Sequence, residues 1–307
     1  MTPASHPHVS VVIPTYNRKA LLPEAVASAA QQSVRDLEIL VCDDGSTDGS
    51  RAALQPLLDA DARIRWIDGA HTGLPGSTRN RGIRAARGEW IAFLDSDDLW
   101  LPGKLQAQLQ AAQAAPGAGF LYAYAAALQP DGSRRRMTAF RIPRQGRIFD
   151  TLLFYSFIQT STVVVRRDLL ERAGLFDEDL RLTIGEDYEF FLRLAAQTDF
   201  LSVDEDLVLY RTQPDSISAD VLDGIDQVER VLRHIIVQQR VPTGLAARAL
   251  AKLDLRRYKQ HLLLRSPTPV RTMHLFAALK KVPDYRLANL LLLAERLGCA
   301  GLVRFFA

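Results

Sequence analysis

At 307 residues, 48% of them apolar and with a formal net charge of +3, the chain is long enough for one large α/β domain with an appendage and a sizeable core. No apolar run approaches the roughly 20 residues of a spanning helix, and the opening MTPASHPHVS has no apolar signal-peptide core. Two cysteines, Cys42 and Cys299, exclude a disulfide framework and a cysteine-built zinc site, which fits a reducing cytoplasm. Charge is uneven: residues 220–307 carry 15 Lys/Arg against 7 Asp/Glu, while the rest carries 23 against 28. An acidic body with a basic, leucine-rich tail points either to an anionic surface near the tail or to a solvated helical appendage.

In chain order, Val9 to Pro14 reads as a strand stopped by Pro14. Leu21, Leu22, Ala25, Val26 and Ala29 recur at helical spacing. Leu37 to Cys42 is a second buried strand ending in DDGSTDGS, and a helix to about Leu58 follows, with Ser46 or Asp48 as N-cap. Arg63 to Ile67 is a third strand, and Gly76 to Gly88 a loop and helix closed by Gly88. Trp90 to Leu94 is a fourth, and Pro102 opens a further helix. Gly119–Leu128 and Ser161–Arg167 are strand-like, with a hairpin tip or mobile loop around QPDGSRRRM. Gly185 to Ala196 is an amphipathic helix, and from about Asp220 the chain is helical. Alternating strands and helices predict an open, mostly parallel sheet flanked by helices. Ligands bind beyond the carboxyl ends of such strands. PTYNR, DDGSTD and DSDD occupy those ends.

The first strand-to-helix turn, PTYNRK, has no glycine-rich phosphate cradle, so neither a dinucleotide fold nor a P-loop is indicated. Asp95, Asp97 and Asp98 crowd within four residues at the tip of a core strand. Such carboxylates repel unless paired or bound to a cation, and hard oxygen ligands suit Mg²⁺ or Mn²⁺ bound together with substrate phosphates. The competing reading is that they cap the helix near Pro102.

VSVVIPTYNR, EILVCDDGSTDGS, STRNRGIRAARGEWIAFLDSDDLWLP and GEDYEFFLRL, in this order and spacing over about Val9 to Ser218, resemble family 2 glycosyltransferases. That resemblance implies a GT-A-type, Rossmann-like α/β fold. It implies transfer of a sugar from a nucleoside-diphosphate sugar, a UDP-sugar favoured, to a glycan or lipid-linked saccharide acceptor, with inversion and a divalent cation (Mn²⁺ or Mg²⁺). By match, Pro14, Thr15 and Tyr16 line the base and ribose pocket, and Asp44, after Asp43, accepts from the base. Arg79 lies against base or phosphates, and Asn80 braces the loop within the donor-binding set. Asp95, near the ribose, and Asp97 hold the metal. Asp187 is the general base, and Glu186 orients the acceptor. The residue-level alternatives are packing for Tyr16, a structural turn for Asp43, an aspartate partner for Arg79, and helix-terminus stabilisation for Glu186 or Asp187. Trp100 is either a sugar platform or core. Gln213 stands where many members carry a histidine, and Arg211 remains as a diphosphate contact.

The expected organisation is a nucleotide-sugar-binding half over 1–105, an acceptor-binding half of the same domain over 106–219, and a helical extension over 220–307. The extension's Leu287, Leu290, Leu291 and Leu297, with Arg286, Arg296 and Arg304, either pack on the catalytic domain, pair two subunits, or lie on an anionic bilayer. No nucleic-acid partner is expected. The expected location is cytoplasmic, including the inner face of the membrane. The rival function is a non-catalytic nucleotide-sugar-binding scaffold.

Overall fold

In a computed structural model describing residues 7–129, 131–137, 145–211 and 221–296, the first half alternates strand and helix. β1 (Val9–Thr15), α1 (Leu22–Ala30), β2 (Leu37–Asp43), α2 (Ser50–Ala60), β3 (Ile64–Ile67), α3 (Pro75–Ala85) and β4 (Trp90–Phe93) follow one another. β3, β2, β1 and β4 pair in parallel in that order. β2 is buried at every position, as a strand covered on both faces should be. Ile39 and Val41 pack with Val9, Val11 and Ile13 of β1 and with Leu22 and Val26 of α1. Each such side chain contributes about 1.5–3 kcal/mol on burial.

Three boundaries differ from the sequence reading, each for a local reason. Pro14 does not stop β1, which pairs with β2 through Thr15. Val12 O accepts from Leu94 N on the β4 side, whereas Thr15 O accepts from Asp44 N on the β2 side. Pro14, two residues after Val12, therefore turns its missing N–H toward β4, whose strand pairing ends at Phe93, and breaks no rung. α2 starts after Gly49 and not after a side-chain cap. Ser46 accepts from the Asn17 amide, while Asp48 accepts from the Lys19 amide with one oxygen and, with the other, from the Ser50 amide that opens α2. α3 ends at Ala86. Gly88 is a glycine because a Cβ there would lie 2.5 Å from the backbone nitrogen of Ser10 on β1.

The second half mixes directions. β5 (Leu99–Trp100), α4 (Lys104–Ala114), β6 (Ala118–Leu128) and β7 (Arg134–Arg136) lead to α5 (Phe149–Phe154) and a 3-10 turn at Thr160–Thr162. β8 (Val164–Arg166), α6 (Arg167–Ala173), α7 (Glu186–Ala195) and β9 (Asp199–Arg211) follow. The hairpin around QPDGSRRRM forms between β6 and β7. β8 inserts antiparallel between β4 and β6, β9 runs parallel to β6, and β5 caps the edge of β9. The sheet order is β3-β2-β1-β4-β8-β6-β9-β5, with β7 on β6. The fold class is the expected α/β one, with its parallel character concentrated in the first four strands.

The chain divides into two compact units, Met1–Leu152 with Ser156–Ser216, and Leu153–Tyr155 with Ile217–Ala307. The second is helical: α8 (Val221–Gln238), α9 (Thr243–Leu263), α10 (Thr268–Lys281) and α11 (Arg286–Arg296). Leu255 and Tyr258 of α9, Leu275 and Ala278 of α10 and Leu291 of α11 form its core. Arg271 and Tyr258 share the Glu295 carboxylate. Lys252 holds the 153–155 segment to this unit, donating to Phe154 O at 3.0 Å and lying over the Tyr155 ring. Gln213, Leu297 and Arg304 lie outside the described residues.

Candidate active site

The loops after β1, β2 and β4 meet at one end of the sheet. The first two are laced by side chains. Asn17 N donates to Ser46 Oγ, Thr47 N to Asn17 Oδ1 and Arg18 N to Ser50 Oγ, at 2.9 to 3.0 Å. Asn17 takes the left-handed conformation (φ 51°) that asparagine tolerates. Asp43 spends its carboxylate on the Gly45 and Ser46 amides of its own turn, the structural alternative raised for it. Asp44 reaches across to the loop before α3. It accepts from Thr72 N, Thr72 Oγ1, Gly73 N and Arg81 Nη2 at 2.8 to 3.1 Å. Burial pushes its pKa up, and these donors more than reverse that, leaving it below the usual range. Tyr16 is exposed, and buried Thr15 Oγ1 beside it has no hydrogen-bond partner.

Beyond β4 the acidic run divides into three roles. Asp98 turns inward, accepting from Ser161 Oγ at 2.5 Å and from Arg211 N at 3.2 Å. Burial pushes it well above the carboxylate range. Asp95 N donates to the same Ser161 Oγ, and its Oδ1 accepts from Arg79 at 2.7 Å. Asp97 stays partly exposed, with Arg18 Nε 3.7 Å away. Burial first, and then the Asp95 charge, raise its pKa. A cation there would relieve both effects, and Asp95 Oδ2 with the Asp97 carboxylate is the hard-oxygen set that Mg²⁺ or Mn²⁺ takes. The residues present therefore fit a divalent ion.

Arg79 joins this end to α7. Its guanidinium is buried, donates to Asp95 and to Glu186 Oε1, both at 2.7 Å, and leaves Nε without a partner. Burial alone would lower the Arg79 pKa, but Asp95 and Glu186 raise it instead. Glu186 is pushed up to about 7 by burial and then by neighbouring Asp187, with Arg79 pulling against both. Asp187 accepts from Thr160 Oγ1 at 2.9 Å and from Tyr188 N at 2.7 Å. Burial raises it too, against these bonds and Arg79. The structure thus brings Arg79, Asp95, Glu186 and Asp187 into one network, with Asp97 beside it. It places Tyr16 and Asp44 at the neighbouring loops.

Asn80 braces instead of facing the cleft: its amide bonds the Phe176 backbone in both directions and Glu178. Arg211 pairs with Glu24 and leaves a buried Nη1 without a partner. Trp100 is core, its indole N–H donating to Ser161 O. The sequence reading missed Thr160 and Ser161, which carry Asp187 and Asp98. Their one signal is a hydroxyl cluster, TST, before an apolar strand.

A curled mixed sheet with acidic loops at the ends of its first strands defines a GT-A-type glycosyltransferase fold. Residues 1–349 of S. aureus TarS in complex with UDP-GlcNAc superpose with a TM-score of 0.67 at 20% identity, covering 97% of this chain and 90% of that one. Mannosyltransferase PcManGT from Pyrobaculum calidifontis, in complex with GDP-Man and Mn²⁺, gives 0.67 at 20% identity, covering 99% and 84%. The chain belongs to glycosyl transferase family 2, whose model matches residues 10–174. It is 32% identical over 231 residues to the uncharacterized glycosyltransferase EpsJ of Bacillus subtilis, covering 69% of this chain and 63% of that protein. It is 39% identical over 107 residues to a GalNAc(5)-diNAcBac-PP-undecaprenol beta-1,3-glucosyltransferase of Campylobacter jejuni, covering 34% and 35%. The matched stretch thus spans between about a third and under two thirds of these relatives' lengths.

Proposed function

We propose that the chain transfers a sugar from a nucleoside-diphosphate sugar, with a UDP-sugar favoured, to a saccharide or lipid-linked saccharide acceptor, with inversion at the anomeric carbon. The observation carrying this reading is the Asp95–Arg79–Glu186 chain of bonds, which ties the acidic pair after β4 to the carboxylates opening α7. The UDP-GlcNAc bound by TarS and the undecaprenol-linked substrate of the Campylobacter relative support the donor and acceptor classes.

In this reading Asp95 and Asp97 hold a divalent cation, which supplies charge neutralisation for the departing diphosphate. The acceptor oxygen forms a bond to C1 as the bond from C1 to the diphosphate oxygen breaks on the opposite face. The acceptor proton passes to Asp187, and the nucleoside diphosphate leaves with the electron pair. Asp187 suits this role because Thr160 and the Tyr188 amide fix its carboxylate, while its raised pKa brings its basicity nearer that of a working base. Glu186, locked by Arg79, orients the acceptor. The scaffold alternative requires no such base.

No helix among the described residues is long and apolar enough to cross a membrane. In the helical unit Leu291 is core, but Val270, Met273, Phe276, Leu290 and Leu293 are exposed. With the unit's basic excess, these support a peripheral seat on an anionic cytoplasmic membrane face, near lipid-linked acceptors.

Calorimetry with UDP, with and without Mn²⁺, tests the reading. Asp97→Ala should lose cation-dependent binding, and Asp187→Asn should keep UDP binding while losing transfer. Mn²⁺-dependent binding undiminished in Asp97→Ala would overturn the metal assignment.

A further inference from the structure

His71 lies in the middle of the stretch between β3 and α3, and its imidazole lies flat on Tyr16. The ring centroids are 4.2 Å apart and the planes 23° from parallel. Its Nδ1 is 3.0 Å from Asp44 Oδ2 and 2.9 Å from the Asp44 carbonyl oxygen. Both neighbours are acceptors, so Nδ1 is the nitrogen that carries hydrogen. A flat heteroaromatic ring thus stacks on Tyr16 and donates a ring N–H to Asp44. At 4.2 Å there is no room for a second ring between them.

The surrounding backbone holds this arrangement. Thr72 and Gly73 amides anchor to Asp44 independently of the imidazole. Arg81 Nη1 fills the space of an absent Cβ at Gly69, and Gly45, at φ +81°, leaves room that a Cβ would close to 3.1 Å from His71 Cβ. The His71 side chain itself is half exposed, so it can turn outward while the loop stays anchored.

We infer that His71 is a displaceable occupant of the nucleobase seat and so a determinant of base selectivity. This rests on the reading of Tyr16 and Asp44 as the base pocket. A base enters by reproducing both contacts, the stack and the N–H to the carboxylate. Uracil and thymine offer an imide N3–H, and guanine an N1–H. Cytosine turns an unprotonated N3 lone pair toward Asp44 and is disfavoured.

Titration calorimetry of the full chain with UDP and with CDP, at fixed Mn²⁺, tests this in wild type, His71→Ala and His71→Gln. Removing the competing stack in His71→Ala should tighten UDP binding by about 3- to 10-fold, with CDP weaker than UDP throughout. His71→Gln, which keeps an N–H without the ring, should fall between. In the wild type, the His71 Cε1–H resonance, assigned by its loss in His71→Ala, should be shielded by Tyr16 and move downfield on UDP addition. Unchanged or weaker UDP binding in His71→Ala, or a resonance still shielded at saturation, overturns the inference. Tyr16→Ala and Asp44→Ala separate the two levels. If UDP binds both as well as wild type, the base-pocket reading itself fails, whatever His71 does.

Discussion

Glu38, near the start of β2, and Glu186, at the start of α7, are both almost wholly buried carboxylates paired with arginine, yet their surroundings act on them in opposite directions. Glu38 accepts from Ser10 Oγ, from the Arg87 amide and guanidinium, and from Arg65. Burial alone would raise its pKa, but these donors hold it below the ordinary range. Glu186 has Arg79 on one side and Asp187 on the other, and burial lifts it to about 7. One carboxylate is over-supplied with donors and locks β1, β2 and the end of α3 together. The other belongs to a group left under-compensated, with Thr15 Oγ1, Arg79 Nε and Arg211 Nη1 also buried and unpartnered at that end of the strands. Unspent polar capacity gathers around the candidate site, whereas the Glu38 carboxylate at the opposite end is fully engaged, with Arg167 Nη2, beside Gly88, the exception there.

The largest effect expected at the binding end is chemical. Asp187→Asn keeps the Thr160 and Tyr188 contacts nearly isosteric but cannot accept a proton. Turnover should fall by about 10²- to 10⁴-fold while UDP affinity and unfolding midpoint stay near wild type. A variant with wild-type turnover would remove Asp187 from the reaction. On its acid side, the pH profile of transfer should fall at a higher pH than an unperturbed aspartate gives, since the Asp187 pKa is raised and its basic form is lost as pH drops through it.

How much of this was legible beforehand differs by element, for physical reasons. β1, β2 and β4 are buried on both faces and so read as continuous apolar runs, and the acidic loops at their ends stand out against them. β5 has two residues, too few to show a period. β9 is a 13-residue edge-to-centre strand with register shifts against β6, which blur its alternation. The site network was partly hidden because its supports come from far along the chain. Ser161 reaches Asp98 across 63 positions and Thr160 reaches Asp187 across 27. His71 carried no signal of its own, since only the fold lays it on Tyr16.

At the opposite end, Glu38→Gln should cost stability, about 1–3 kcal/mol at pH 7, by weakening charge-assisted bonds to a buried group. The sign with pH separates the clusters. The folded-state pKa of Glu38 is depressed, so its contribution is present above about 4.5 and lost as pH falls through the folded value. The folded-state pKa of Glu186 is raised, so its contribution is complete below about 4.5 and lost as pH rises through about 7. Without divalent cation at pH 8, Glu186→Gln should therefore gain about 1–3 kcal/mol. Urea unfolding from pH 4 to 8 checks both variants, and parallel curves for the two would erase the distinction drawn between the clusters.

The smallest effect concerns a group beneath the acidic loop. Lys104, at the start of α4, is fully buried; its Nζ has no hydrogen-bond partner and lies 3.9 Å from the centroid of the Trp100 ring. Burial pushes its pKa well below the ordinary lysine value. The aromatic face compensates part of the cost of holding a cation there, and an uncharged chain of similar length avoids the rest. Lys104→Met should thus raise stability by about 1 kcal/mol at neutral pH, and by more as pH falls, because the native state resists protonating this amine while the unfolded chain does not. Substitution at Glu38 loses stability because every lone pair there is in use; substitution at Lys104 gains it because its donors are idle. A Lys104→Met protein less stable than wild type would mean that the Trp100 contact outweighs desolvation, and the amine would then belong with the spent groups of the holding end.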